Sequence, residues 1–598
     1  MGALADGQGG TSHWRSFGHF SRFLISNFPG NIAPMSLILF EDEHLLAVHK
    51  PAGWNTHAPG PFAGEGVYDW LKHREPRWSR LAILHRLDKE TSGVLVFGKT
   101  PEANRSLTEQ FAAREVEKKY LLITDRAVAW PDLTAVSTIV RAGEKYVNRP
   151  LVAGGERAET RFIALETSDG LTLIEARPVT GRTHQIRVHA AAHGFPILGD
   201  TLYGGTPAER VFLHAVELSL QHPATNEPMT FSAPCDWSAD RRVRAIQTDE
   251  PADSAVRNYD ELRAAIVDPQ FTNAFRLIHG ASDGWPGLHV EQLGAYLLAQ
   301  SEQPLDERQH ELLAVLARSR GSRSVYHKTL NRKIRHASTV ESSPQLISGN
   351  AAPERFAIRE NGLEFEVSFA EGYSVGLFLD QRDNRRRFLL NHVAAQFEDW
   401  SAGLRPGALE TDQLKTEPGR RPALQSEVLN TFAYTCGFSV AAAKAGARAT
   451  SLDLSKKYLE WGKRNFTLNG LDPARHDFIY GDAFDWMRRL AKKGRAFDAI
   501  ILDPPTFSQS KESGTWQAEK HYGQLVEAAL PLLKPGGVLF ASTNAAKLEP
   551  EVFLESVRGA VTKSGRKILR EHYVPQPPDF PISRAEPAYL KTVWLRVA

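Results

Sequence analysis

Val428-Leu429-Asn430-Thr431-Phe432, followed by Ala433-Tyr434-Thr435-Cys436-Gly437-Phe438, is a short hydrophobic run that breaks into a turn and opens a helix ending near Gly446. The pattern continues downstream, where strand-like Ala449 to Leu454, Asp477 to Tyr480, Ala499 to Leu502 and Val538 to Ser542 alternate with helical stretches. Such alternation makes a parallel, doubly wound, Rossmann-like sheet with helices on both faces, whose ligands bind beyond the carboxyl ends of the strands. Acids fall at those ends: Asp453, Asp482 and Asp503 close successive strands. Three carboxylates so placed are hard to explain as scaffold, although a lone glycine such as Gly437 at a strand-to-helix turn says little by itself. A carboxylate at the end of the second strand can accept hydrogen bonds from two ribose hydroxyls. Small residues in the turn let a ligand approach the backbone.

Working back toward the amino terminus, the character changes. From 36 to 235 short β-like runs alternate with turn signals and few long helical patterns intervene, which predicts a mixed, mostly antiparallel sheet domain. Residues 236–265 are charged and contain Pro251, reading as a linker. Strand-like patterns resume at Ala274 to Ile278, Leu288 to Val290 and Leu363 to Phe369, predicting a small α+β domain over 266–390. Residues 391–426 read as a connecting helix and an exposed polar insertion rich in Pro and Gly, and 427–598 as the doubly wound domain. There is no internal repeat. The expectation is therefore a multidomain α/β protein, consistent with 598 residues exceeding what one core supports.

Composition narrows the class. At 42% hydrophobic and 24% charged, with no apolar run long enough for a bilayer, the sequence is that of a soluble globular protein and excludes membrane insertion. The only cysteines, Cys235 and Cys436, lie far apart, which excludes a disulfide scaffold or thiolate zinc site and fits a reducing, cytoplasmic setting. No metal is called for. A net charge of +2 announces no nucleic-acid binder, but basic residues gather at Lys118-Lys119, Arg382 to Arg387, Lys456-Lys457, Arg488-Arg489 and Lys492-Lys493. Each helical cluster reads first as a solvated face, yet their sum suits RNA. Residues 1–35 lack periodicity and a signal-peptide core, so they read as a disordered extension, and Met35 is an alternative start.

A second chemical signature stands in His85-Arg86-Leu87-Asp88-Lys89-Glu90-Thr91-Ser92-Gly93, where one acid sits between an arginine and a Ser-Gly turn ahead of the apolar Val94 to Phe97. An isolated Asp near Ser-Gly would merely cap a turn. Downstream, however, Thr180-Gly181-Arg182-Thr183-His184-Gln185-Ile186-Arg187-Val188-His189 opens a helix, read with Thr183 as N-cap and Gly194 as stop. Its first turn brings Arg182, His184 and Arg187 as partners for a carboxylate and for phosphates. With Lys50-Pro51-Ala52-Gly53, Lys119-Tyr120 and Gly199 to Gly204, these motifs resemble the RluA-type pseudouridine synthases across residues 36–235. The resemblance implies a cofactor-free isomerisation in which uracil is detached, rotated and rejoined to its ribose through carbon. It makes Asp88 the catalytic aspartate, has Arg86 extrude the base, sets Tyr120 against it to assist proton removal, and pairs Arg187 with Asp88. An acid that attacks must be ionised, and an adjacent guanidinium favours that form. The base must also be flipped out, at a cost of a few kcal/mol. Unlike many relatives, the sequence has no separate small RNA-binding domain ahead of these motifs.

The strand-end acids with Asp503-Pro504-Pro505 resemble the class I S-adenosylmethionine-dependent methyltransferases; the missing Gly-x-Gly-x-x-Gly argues against a dinucleotide oxidoreductase, since no pyrophosphate needs cradling. Arg276-Leu277-Ile278, Asp283 to Leu288, Gly376-Leu377-Phe378-Leu379-Asp380-Gln381-Arg382 and Asp503 to Ser508 narrow the likeness to the RlmI/RlmK group of large-subunit rRNA methyltransferases. That resemblance implies S-adenosylmethionine as cofactor, with Asp453 on its ribose, Asp482 on the adenine edge, and Phe432, Thr435 and Gly437 in the loop around its methionine part. Asp503, Pro504, Pro505 and Phe507 line the acceptor pocket, and Gln381 and Arg382 close the site unless they are simply surface residues of a helix.

Carbon-5 of cytosine is a poor nucleophile until a thiolate adds to the ring, and neither cysteine is placed for that: Ser542-Thr543-Asn544 occupies the late strand where the thiol is expected. A nitrogen acceptor is preferred, with guanine N7 favoured because its lone pair attacks a methyl sulfonium with little acid-base help. The implied partner is RNA, large-subunit rRNA first and tRNA second. Two other readings stay open: one module catalyses while the other docks RNA, or the chain is a non-catalytic rRNA-binding assembly factor.

Overall fold

The computed structural model describes residues 37–151, 156–235, 262–330, 342–372, 374–390, 426–510 and 514–598. The expectations for the 1–35 extension, for most of the 236–265 linker and for the 391–426 insertion lie outside those residues, apart from a short helix at 262–266. Among the described residues no helix is long and apolar enough to cross a membrane.

The first sheet has eleven strands. Its pairs are antiparallel except one: Ser92–Gly98 runs parallel to Leu213–Gln221, with His214 opposite Ser92 and Ala215 opposite Gly93. Ser92–Gly98 is buried along its whole length, as its unbroken apolar run requires of a central strand. The carboxyl-terminal sheet has seven strands in the spatial order Asp477–Tyr480, Arg448–Asp453, Glu427–Thr431, Phe497–Leu502, Leu533–Thr543, Lys591–Val597, Ile568–Val574. The first five run parallel, Lys591–Val597 is antiparallel to both of its neighbours, and Ile568–Val574 therefore points the same way as the first five. This is the doubly wound sheet the alternation predicts, with its order reversing beside Glu427–Thr431.

The middle piece is a five-stranded sheet and a hairpin, Phe356–Glu360 with Leu363–Val367, turned by Asn361-Gly362, both at positive φ. Its strand Tyr296–Ser301 shows how three parts become one body. Leu297 and Ala299 point into an apolar cluster with Leu46, Trp54 and Trp70 of the first part, whereas Tyr296 and Leu298 point into another with Phe438, Phe540 and Trp594 of the last. Successive side chains on a strand face opposite sides, so a strand apolar on both faces glues a layer on each.

Candidate active sites

The Asp88 turn is fixed from both flanks before any ligand is considered. The fully buried Lys50 ammonium donates to the carbonyls of Pro51 (2.9 Å), Trp54 (2.6 Å) and Lys89 (3.1 Å). Thr56 Oγ1 donates to the Leu87 carbonyl (2.8 Å) and accepts from the Leu87 amide (3.1 Å). At Gly93 the backbone has φ +118°, and a Cβ there would collide with the Ala215 carbonyl across the parallel pair. The turn's Ser-Gly ending is therefore a packing requirement as well as a bend.

Asp88, Arg86, Tyr120, Arg182, His184 and Arg187 all line one cleft of about 980 Å³. Arg187 NH1 stands 3.5 Å from Asp88 Oδ2 and His184 Nε2 3.9 Å from it. The expected ion pair of Arg187 with Asp88 is present, and Arg187 has a second and tighter partner in Asp200: Nε donates to Oδ2 at 2.7 Å and NH2 to Oδ1 at 2.8 Å, with both groups buried. Asp200 thus aims the guanidinium, leaving NH1 to face Asp88 and Glu90. Asp200, Asp88 and Glu90 together hold Arg187 charged against burial, well above the ordinary arginine value. Replacing Arg187 by methionine leaves Asp200 buried without its cation, so chemical denaturation should find the protein about 3 kcal/mol less stable.

Thr183 is not the helix cap. The helix is Gln185–Ala192, and His184 precedes it in the left-handed region (φ 55°), turning its ring toward the cleft. No side chain caps this helix; Gln185 instead ties down the loop before it, its Oε1 accepting from the Arg182 amide (3.0 Å) and the Thr180 hydroxyl (2.6 Å). His184 Nδ1 shares a 2.7 Å hydrogen bond with the Tyr203 hydroxyl. Arg86 is exposed, and Arg182 pairs with Glu156 at 2.7 Å. Burial, with Asp88 adding to it, pushes the Tyr120 hydroxyl above the ordinary tyrosine value.

In the second site, Phe432, Tyr434 and Cys436 all adopt left-handed backbone (φ 57°, 48° and 64°), a conformation that β-carbon residues adopt at a cost. Asp453 holds this loop: Oδ2 accepts from the Tyr434 amide and Oδ1 from the Ser455 amide, each at 2.8 Å. Each carboxylate oxygen keeps a further acceptor position. A ribose diol, whose two hydroxyls donate, needs a pair of acceptors of this kind. Thr435 Oγ1 donates to the Gly376 carbonyl (2.5 Å), tying the loop to the Gly376–Gln381 run, and Gly437 begins the helix Gly437–Lys444. Asp482 caps helix Ala483–Lys492 by accepting from the Asp485 amide (3.0 Å), and Gly481 donates to the Asp453 carbonyl, joining the two strand ends.

Gln381 Nε2 donates to Ser542 Oγ (2.7 Å) and Asp503 Oδ1 (3.2 Å). Burial, with the nearby Asp380 carboxylate, pushes Asp503 up to about 6 against the pull of Ser542, Arg385 and Gln381. After it, Pro504 is buried and Pro505 exposed, and Phe507 opens the short hairpin Phe507–Ser510 with Gly514–Gln517. Arg382, expected beside Gln381, is turned elsewhere: it makes a buried bidentate pair with Asp579 (2.8 and 2.7 Å). The Arg382 to Arg387 cluster is likewise no solvated face, since Arg382, Arg385 and Arg387 are buried. Sequence reasoning missed Asp200, Asp380 and Ser542 as site residues. The first two stand inside quoted motifs, and Ser542 was read only as a missing thiol.

Residues 44–192 match the RNA pseudouridylate synthase family and residues 415–596 the S-adenosylmethionine-dependent methyltransferase family. Over 347 residues the chain is 35% identical to a ribosomal RNA large subunit methyltransferase of Deinococcus radiodurans, covering 56% of this chain and 76% of that protein. It is 29% identical to the ribosomal RNA large subunit methyltransferase I of Aeromonas salmonicida, covering 60% of this chain and 86% of that one. Over 226 residues it is 37% identical to the ribosomal large subunit pseudouridine synthase C of Salmonella typhimurium, covering 35% and 70%. Fold and sites define an RNA-modifying enzyme with two catalytic modules. The chain belongs to the RNA pseudouridylate synthases through its amino-terminal part and to the S-adenosylmethionine-dependent rRNA methyltransferases through the remainder.

Proposed function

We propose that this bifunctional enzyme isomerises a uridine at Asp88 and methylates a guanine N7 beside Asp503, both in large-subunit rRNA in the cytoplasm, with tRNA as a secondary candidate. The modules are 36–235 for the synthase, 266–390 for the middle domain and 427–598 for the methyltransferase. Asp88 attacks, Arg187 balances its charge, Arg86 and Arg182 engage the extruded nucleotide and its phosphates, and Tyr120 covers the base. His184, tied to Tyr203, orders the cleft wall. In the other module the cofactor supplies an electrophilic methyl group. Asp453 and Asp482 grip its nucleoside, and the Phe432–Gly437 loop follows its amino acid part. Asp503, held by Gln381, orients the acceptor base between Pro504, Pro505 and Phe507.

The absence of a thiol at the acceptor carries the choice of guanine N7. Cys436 is fully buried against Gly462 in the cofactor loop, and burial pushes its thiol up to about 12, so no thiolate forms at neutral pH. The residue that bonds both Gln381 and Asp503 from the late strand Leu533–Thr543 is Ser542, a hydroxyl and not a thiol, which supports that reading. Nucleoside mass spectrometry after reaction with an rRNA transcript should find pseudouridine and 7-methylguanosine; 5-methylcytidine in their place would overturn the choice. Cys436→Ala should keep methyl transfer in the same assay.

A further inference from the structure

The helix Arg382–Leu389 follows Gln381 directly, and five of its eight residues are charged: Arg382, Asp383, Arg385, Arg386 and Arg387. A helix this short is marginal on its own. Its two faces are claimed by different modules. Residues at one helical spacing, 381, 384, 385 and 388, serve the methyltransferase. Asn384 Nδ2 donates to Gln381 Oε1 (2.8 Å) and accepts through Oδ1 from Trp594 Nε1 (3.1 Å). Arg385 lies over the Phe438 ring (5.8 Å) while its bidentate pair (2.6 and 2.7 Å) is with Glu360 of the middle domain's hairpin, and Phe388 packs among Phe438, Phe540 and Trp594.

Residues 383, 386 and 387 serve the synthase helix Val67–Arg74. Trp70 Nε1 donates to Asp383 Oδ2 (2.9 Å), and Arg74 reaches Asp383 Oδ1 (3.4 Å) while lying over the Trp70 ring. Arg386 pairs with Glu75, and Arg387 Nε donates to the His73 carbonyl (3.3 Å). Beside this contact His73 packs on His572, and Phe62 packs edge-on against Tyr573. All these polar groups lie at a buried or partly buried seam, where removing one partner leaves the other desolvated.

We propose that the synthase module is a structural half of the methyl-acceptor site: its helix Val67–Arg74 fixes the helix Arg382–Leu389 and thereby holds Gln381 against Asp503 and Ser542. Trp70, Glu75 and Asp383 are then positioning residues for methyl transfer, acting through Gln381. This rests on reading Asp503 as part of the acceptor site. It also makes the dependence one-sided, because the Asp88 turn is pinned by Lys50 and Thr56 from within the synthase.

The test uses the full chain and one rRNA transcript on which both products are counted, with Trp70→Phe, Asp383→Asn and Asp503→Asn compared with the parent. Trp70→Phe keeps an aromatic ring at the buried position and removes the indole donor together with part of the ring volume, whereas Asp383→Asn keeps the volume and removes the charge, so the two variants fail to fold for different reasons if either does. Both positioning variants should lower the kcat of methyl transfer about tenfold, since small misplacements of oriented groups are costly. The KM for RNA, the affinity for S-adenosylhomocysteine and the pseudouridylation rate should not change. The acid limb of methyl transfer should also move to higher pH. Asp503 would lose the Gln381 hydrogen bond that lowers its pKa, while burial and Asp380 continue to raise it and Ser542 and Arg385 to lower it. Unchanged kcat and pH profile in Trp70→Phe and Asp383→Asn, with methyl transfer abolished in Asp503→Asn, would overturn the coupling. An equal fall of both activities with a lowered melting temperature would overturn it too. Methyl transfer retained by Asp503→Asn would instead refute the acceptor assignment beneath it.

Discussion

Asp88→Asn abolishes pseudouridine formation, by at least about a thousandfold, and leaves methyl transfer to the same RNA intact. The substitution keeps size and shape but replaces an anionic nucleophile with a neutral amide. Nothing around it needs to move: Lys50 and Thr56 hold the turn through backbone carbonyls and amides, and Arg187 keeps its two bonds to Asp200. Release of label from a 5-tritiated uridine transcript measures the loss. Retained release in a folded variant would remove Asp88 from the role of nucleophile. Intact methylation in the same tube shows that RNA binding and folding survive.

Asp453→Ala weakens binding of S-adenosylhomocysteine by about a thousandfold, the scale expected when two charge-assisted hydrogen bonds to a ribose are removed together. The variant also frees the Tyr434 and Ser455 amides that the carboxylate holds, in a loop where three residues sit in left-handed backbone. Part of the loss is therefore disorder of the loop and part is the missing contact. Asp453→Asn separates them, because the amide oxygen can keep one of the two loop bonds while the charge is gone. Isothermal titration checks both variants, and pseudouridylation serves as the internal control. Affinity unchanged in Asp453→Ala would place the cofactor elsewhere.

The two modules were legible for different reasons. In the methyltransferase, strand and helix periods alternate cleanly, so the acids at 453, 482 and 503 could be placed at strand ends without knowing any contact. In the synthase, an ordered set of short motifs carried the assignment, because a mostly antiparallel sheet leaves little periodic signal. What went wrong was local. Thr183 has the composition of a cap, but left-handed His184 intervenes, no side chain caps the helix, and Gln185 bonds the loop before it. Arg382 was grouped with Gln381 as its neighbour, yet adjacent residues on a helix point about a quarter-turn or more apart, and Arg382 faces Asp579.

By itself the chain of residues determined what depends on near neighbours: the strand-and-turn grammar of three parts, the acid in a tight turn, the acids at strand ends and the lack of a usable thiol. Partners distant in sequence were decided only by the tertiary structure. Asp200 aims Arg187 across 13 residues, Gln381 reaches Asp503 across 122, and Trp70 meets Asp383 across 313. The reason is physical. Buried charges and donors must be satisfied by whichever groups the packed layers bring within hydrogen-bond reach, and that choice is made when the two faces of the middle sheet are covered.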